Sequence, residues 1–166
     1  MISGDKNYNG VIDDLVNGSW ISQTDNKQYG IPIKNIEIRK TLDGRERDLI
    51  ESLHSNQKLL VVSDPFTHKA MGSRIFNNLK VNINVDEYIW EQPSSSIEGV
   101  QFLRTKLKDY DGMIAVGSGT VSDSIKYATF LEDKVYSVFA TTPMNAYTTG
   151  TASISFDGIK KSLVAH

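Results

Sequence analysis

The chain has 166 residues, enough for one domain that buries about 70% of the surface its unfolded form would expose. A formal charge of -2, a pI near 5.9 and scattered lysines exclude the basic footprint of a nucleic-acid-binding module. The absence of cysteine excludes disulfides, thiolate metal sites and cysteine nucleophiles, and agrees with the cytoplasm as the expected location.

The opening MISGDKNYNG lacks the charged start and apolar core of a signal peptide, and no apolar run approaches the ~20 residues of a membrane helix, so no membrane insertion is expected. Val11 to Val16 predicts a short first helix, followed by a polar, turn-rich segment from Asn17 to Gln28. After Pro32, the alternation Ile36-Glu37-Ile38 predicts a strand. Gly44 to His54 predicts a charged helix with Leu49, Ile50 and Leu53 inward. Lys58 to Ser63, with LLVVS at its centre, predicts a buried strand, and Phe66 to Leu79 a helix with Ala70, Ile75 and Leu79 among its apolar positions. A strand over Asp86 to Trp90 and a helix over Ile97 to Leu107 follow, the latter with a stripe of Ile97, Val100, Leu103 or Arg104, and Leu107. Met113 to Val116 and Val135 to Phe139 predict two further strands enclosing a helix on which Val121, Ile125 and Ala128 share a face. The tail alternates on either side of Asp157-Gly158, a strong hairpin signal.

Strand and helix alternate through most of the chain. This predicts an α/β fold, Rossmann-like, with a mostly parallel sheet, helices on both faces and a C-terminal β-hairpin. Ligands of such sheets bind outside the carboxyl ends of the strands. Three corners fall there: Ser63 and Asp64, the turn at Gly117, and Ala140 to Thr142.

The turn Gly117-Ser118-Gly119-Thr120 joins a strand to a helix. The first N–H groups of a helix have no partner within it, and the macrodipole places roughly half a positive charge beside them. Glycines at 117 and 119 remove β-carbons that would hold a pyrophosphate away, while Ser118 and Thr120 offer hydroxyl donors. Two other readings stand beside this one: a tight turn with no ligand, and Thr120 as N-cap. The motif lacks the third glycine of the dinucleotide fingerprint and the Gly-Lys-Ser/Thr of a P-loop. Asp64 is placed to accept hydrogen bonds from a ribose diol, or else to cap the helix that Pro65 begins.

The ordered succession VVSDPFTHKAMG (61 to 72), AVGSGTVSD (115 to 123) and TTPMNAYTTGTASI (141 to 154) resembles the amino-terminal domain of glycerol-1-phosphate dehydrogenases. These belong to the superfamily of iron-containing alcohol dehydrogenase, glycerol dehydrogenase and dehydroquinate synthase, and the resemblance runs from about Ile33 onward. It implies a single NAD(P)-binding domain over residues 1–166, comprising an N-terminal helix and polar segment (1–30), the Rossmann-like core, and a hairpin (151–166) that leads toward a helical metal-binding domain. It further implies that Asp64 meets the adenosine ribose, that Gly117, Ser118, Gly119, Thr120 and Val121 wrap the pyrophosphate, and that Ala140, Thr141, Thr142 and Pro143 line the nicotinamide side with Thr149 as a further cofactor contact. Asp123 matches the family's acidic position after the glycine turn, where favourable charge against the helix dipole is an equal reading. Asn145 stands where many relatives carry an aspartate on the substrate hydroxyl. An amide there can exchange hydrogen bonds but cannot take up a proton near neutral pH.

The family's zinc, iron or nickel ion is expected only with a carboxyl-terminal half, whose aspartate and histidine ligands this chain lacks. His54, His68 and His166 form no spaced metal set and read as surface or partly packed residues. Lys126 reads as solvated, and Trp20, Trp90, Tyr110, Tyr127 and Tyr136 as packing groups. The expected function is the NAD(P)-binding half of a metal-dependent oxidoreductase acting on a small polyol or glycerol phosphate, with NAD favoured because Asp64 would repel a 2′-phosphate. The carboxyl-terminal half is either left out of this sequence or encoded as a separate carboxyl-terminal polypeptide, which would then be a partner, and self-association follows if the Tyr147 to Phe156 segment and the hairpin expose apolar surface, giving a homo-oligomer. The alternatives are a non-catalytic nucleotide-binding or relic domain, and a dehydroquinate-synthase-like lyase fragment.

Overall fold

The computed structural model describes residues 8–39, 41–42, 44–142 and 145–165, with the backbone alone for Tyr8, Asn9, Asn145 and Ala146. The chain divides into two compact units, Met1–Thr41 and Leu42–His166. In the first unit, helix α1 (Tyr8–Val16) precedes an antiparallel pair of two-residue strands, β1 (Trp20–Ile21) and β2 (Gln28–Tyr29). Gly18 ends the α1 region at φ +69, a left-handed position that favours glycine. The run Ile36-Glu37-Ile38 is not a strand, contrary to its alternation. β1 and β2 pair only with each other, so this segment has no ladder to join.

The second unit carries the sheet. Its order is β4-β3-β5-β6, all parallel, with β3 (Leu59–Ser63), β4 (Val85–Ile89), β5 (Gly112–Gly117) and β6 (Val135–Ala140). β3 and β5 are buried along their whole length because both sheet faces are covered. One face presents Leu60, Val62, Met113 and Ala115 to α5 (Ile97–Leu107) and α6 (Gly119–Leu131) through Val100, Leu103, Leu107, Val121, Ile125 and Ala128. The other presents Leu59, Val61, Ile114 and Val116 to Ile50 of α2 (Glu46–His54) and to Ile75 and Leu79 of α4 (Ser73–Leu79). This is the doubly wound arrangement expected from the alternating elements.

On α5 the stripe takes Leu103 and leaves Arg104 to bond Glu132 at 2.5 Å. On α2 the buried line is Glu46, Ile50 and His54, four residues apart, with Leu49 and Leu53 half-buried. Arg74 and Asn78 of α4 reach Glu46 and let its carboxylate sit inside. His54 is buried between Gln57 at 3.0 Å and the hydroxyl of Ser137 at 2.7 Å.

The helix expected over Phe66 to Leu79 is interrupted. It starts as α3 (Pro65–Thr67), widens into a π-turn over His68–Gly72, and resumes as α4. The widened turn lets Gly72 lie against Ser63, where a β-carbon would come within 3.1 Å of Oγ, and it leaves Ala70 exposed rather than inward.

The carboxyl-terminal hairpin pairs β7 (Thr151–Phe156) with β8 (Ile159–Val164). Asp157 and Gly158 both have positive φ, +49 and +80, as a two-residue type I′ turn requires. Ala152 and Ile154 of β7 join the core beneath α5 and α6. The apolar residues described between Tyr147 and Phe156 are therefore largely covered, contrary to the expected exposed surface, whereas Ile159 and Val164 of β8 are exposed.

Candidate functional site

The connection from β3 leads to β4 on one side of it, while the next strand, β5, lies on the other side. The carboxyl ends of β3 and β5 therefore flank the topological switch point, where a parallel sheet opens a crevice. A cleft of about 350 Å³ lies there, lined by Asp64, Pro65, Phe66 and Thr67 after β3, Glu91 and Pro93 after β4, and Ser118, Thr120 and Val121 after β5.

Asp64 caps the short helix after β3. Its Oδ1 accepts from the Phe66 and Thr67 amides, both at 2.9 Å, and the Thr67 hydroxyl accepts from the Asp64 amide at 3.0 Å. The capping reading of Asp64 is thus realised, and it uses Oδ1 alone, while the residue also lines the cleft. Ser96 likewise caps α5 by accepting from the Gly99 amide at 3.3 Å. α6 differs: Ser118 holds the N-cap position with extended backbone but makes no side-chain cap bond. Among the described residues, the first-turn amides of this 13-residue helix have no side-chain acceptor, at the wall of the cleft.

Gly117 departs from its expected role. A β-carbon built there would lie 2.8 Å from Cβ of Val121 and 3.1 Å from both its methyl carbons. The missing side chain makes room for α6 to close on β5, rather than for an anion.

The remaining expected residues occupy the adjacent corner. Ala140 ends β6 opposite Gly117 and is exposed. The Thr141 amide donates to the Gly117 carbonyl at 3.2 Å, and the Tyr147 hydroxyl donates to the same carbonyl at 3.0 Å. The Thr142 hydroxyl lies 3.3 Å from that of Tyr147. Pro143 lies outside the described residues; Asn145 begins a single 3₁₀ turn, Asn145–Thr148, and its side chain is not described. Thr149 is exposed, and its carbonyl accepts from Nζ of Lys126 at 3.1 Å.

Lys126 is not solvated. It is 4% exposed and also donates to the Thr151 carbonyl at 3.1 Å. One turn earlier, Asp123 is 7% exposed and accepts from the Ser153 amide at 3.1 Å through Oδ2, while its buried Oδ1 has no hydrogen-bond partner among the described residues. Burial pushes the Asp123 carboxyl above its ordinary range and the Lys126 ammonium below its own. Asp123 thus addresses the hairpin, whereas Asp64, Ser118, Thr120 and Val121 share the cleft.

Sequence reasoning missed Phe66, 87% exposed at the rim, and Glu91, a second carboxylate beside Asp64. The carboxyl-edge rule that selected the other corners could have found Glu91, since it lies two residues beyond the end of β4. Nothing local marked Lys126 or Tyr147, whose partners lie 23 and 30 residues away in sequence.

A doubly wound parallel sheet with an uncapped helix opening on its switch point places the second unit in the Rossmann-like class. Residues 37–166 match the family model described as iron-containing alcohol dehydrogenase, and the chain belongs to that family. Its fold is similar to that of glycerol dehydrogenase from Schizosaccharomyces pombe, with a TM-score of 0.65 and 20% identity over 74% of this chain and 32% of that one. It is also similar to an iron-containing alcohol dehydrogenase from Thermococcus thioreducens, with a TM-score of 0.63 and 16% identity over 78% of this chain and 41% of that one. An iron-containing alcohol dehydrogenase from Thermotoga maritima gives a TM-score of 0.61 and 17% identity over 75% and 41% of the two chains. The chain thus spans 32% to 41% of the length of these structures. No sequence among curated proteins matches it significantly. Among the described residues, no three His, Cys, Asp or Glu side chains lie close enough to hold a metal ion, and no helix is long and apolar enough to cross a membrane.

Proposed function

We propose that this chain is the dinucleotide-binding part of an NAD-dependent oxidoreductase acting on a small polyol or glycerol phosphate. The observation that carries the reading is the uncapped first turn of α6 at the switch-point cleft. Its amides, with the Ser118 and Thr120 hydroxyls, suit a pyrophosphate. Asp64 caps with one oxygen and retains the other as an acceptor for a ribose diol, and Glu91 adds a second negative charge that disfavours a 2′-phosphate. Bound nicotinamide would supply the hydride acceptor or donor. The residues at and after the end of β6, Ala140 to Pro143, with Thr149, then belong to the nicotinamide side, and Asn145 to the substrate side. The described residues offer no donor set for a metal, so any metal chemistry would rest on ligands from outside them. A non-catalytic nucleotide-binding domain is the second reading, favoured by Asn145, which cannot take up a proton as an aspartate would.

Calorimetric titration with NADH tests the proposal using two variants that preserve the caps. Ser118→Asp places an anion where the pyrophosphate would sit and gives α6 a charged cap. NADH binding should weaken about tenfold or more, a cost of ~1.4 kcal/mol, while thermal stability holds or rises. Asp64→Asn keeps a capping oxygen and drops the charge, so the preference for NADH over NADPH should narrow. Saturable NADH binding indifferent to Ser118→Asp would remove the pyrophosphate from α6, and no binding by the wild-type chain would reject the reading.

A further inference from the structure

The described residues between β6 and β7, with the first residues of β7, are fastened at successive points, all to the β5–α6 unit. Near the start of this stretch the Thr141 amide donates to the Gly117 carbonyl, and in the middle the Tyr147 hydroxyl donates to the same oxygen. At the end Lys126 Nζ bridges the carbonyls of Thr149 and Thr151, each at 3.1 Å, and Asp123 holds the Ser153 amide at 3.1 Å. Lys126 and Asp123 stand three residues apart on one face of α6, at 4% and 7% exposure. Burying two ionisable groups is costly unless they are hydrogen-bonded, and here the bonds that offset the cost run to the main chain of this one stretch. The same helix opens on the cleft at its N-terminus, about one turn before Asp123.

We propose that Lys126, Asp123 and Tyr147 are positioning residues that preset residues 147–153 for the nicotinamide end of the dinucleotide. The proposal rests on the reading of the cleft given above. A dinucleotide spans a switch point with its pyrophosphate at the helix N-terminus and a nucleoside on either side. The carboxylates that suit a ribose without a 2′-phosphate, Asp64 and Glu91, stand on the β3 and β4 side. The nicotinamide nucleoside therefore lies toward the end of β6, beside the fastened segment. Fixing that segment before binding spares its ordering cost when the ligand arrives, and only a ligand that reaches it gains from this.

The test uses the full chain with two probes, NADH and ADP-ribose, the second lacking nicotinamide. Lys126→Met and Tyr147→Phe should each weaken NADH about fivefold or more and change ADP-ribose less than about twofold. Amide hydrogen exchange over residues 147–153 should quicken in both variants without ligand. If the wild-type chain binds both probes and the variants lose both alike, the functional reading stands and this proposal is overturned. Unchanged exchange and unchanged NADH affinity overturn it as well. If the wild-type chain binds neither probe, the functional reading has failed and the proposal falls with it. Should Lys126→Met not fold, Tyr147→Phe, which removes a single hydroxyl, decides by the same readouts.

Discussion

Asp123 shows how far a side chain's role departs from its local pattern. On sequence grounds it is an acid near a helix N-terminus, close to the dipole or to a ligand. In the structure its Oδ2 accepts from Ser153 of β7, its Oδ1 is buried without a hydrogen-bond partner among the described residues, and Lys126 and Lys160 are the nearby cations. Desolvation raises its pKa from the ordinary 3.8 despite the Ser153 bond and the charge of Lys126. A carboxyl whose pKa is raised on folding contributes stability that is fully present below 3.8 and is lost as pH rises through the raised value. Lys126, lowered from 10.5, has the mirror dependence: its contribution is present above 10.5 and is lost as pH falls through the lowered value. Asp123→Asn keeps an acceptor for Ser153 and abolishes the acid-side titration. Urea unfolding of wild type and variant at pH 7 and pH 4 should therefore show the difference moving in favour of wild type on acidification. A constant difference would mean that the carboxyl titrates at its ordinary value and is better solvated than its burial implies. The contrast with Val121, Ile125 and Ala128 is instructive. Their inward face followed from spacing alone, because apolar groups need only be covered by something, whereas Lys126 could go inward only where two particular carbonyls waited.

At the scale of elements, β3, β5 and β6 were legible because a β-branched or apolar run bounded by turn residues has few other uses, and the Asp157-Gly158 hairpin was legible because both residues tolerate positive φ. Two features were not. Ile36 to Ile38 alternates like a strand, but alternation does not supply a neighbour, and the break in the helix after Asp64 accompanies the close packing of Gly72 on Ser63 at the end of β3. The turn at Gly117 was legible as a corner but misread in direction. With its empty side against Val121, Gly117→Ala should act as overpacking at the β5–α6 joint and cost about 1–3 kcal/mol in chemical denaturation. A loss near zero would mean that the position faces the cleft after all. The distinction bears on function. A binding defect in a Gly117 variant would report a displaced helix, so Ser118, whose side chain lines the cleft and caps nothing, is the cleaner probe of the pyrophosphate position.

At the scale of the whole chain, both hydrophobic clusters are drawn entirely from residues at or beyond Leu42. The four-stranded sheet, its covering helices and the hairpin lie in the same unit. Met1–Thr41 has its own helix and a pair of two-residue strands, too little to sustain an independent core. A fragment comprising 42–166 should therefore fold, with one cooperative thermal transition and dispersed amide resonances. All nine cleft residues, from Asp64 to Val121, are retained in it. If they bind the dinucleotide, saturating NADH must stabilise the fragment by mass action, ~2.7 kcal/mol at a hundredfold excess over Kd, and raise its Tm as it raises that of the full chain. A fragment that melts cooperatively yet gains nothing from NADH, while the full chain does, would assign part of the site to residues 1–41. A broad, gradual transition would instead show that this first unit supplies stability that the two clusters do not.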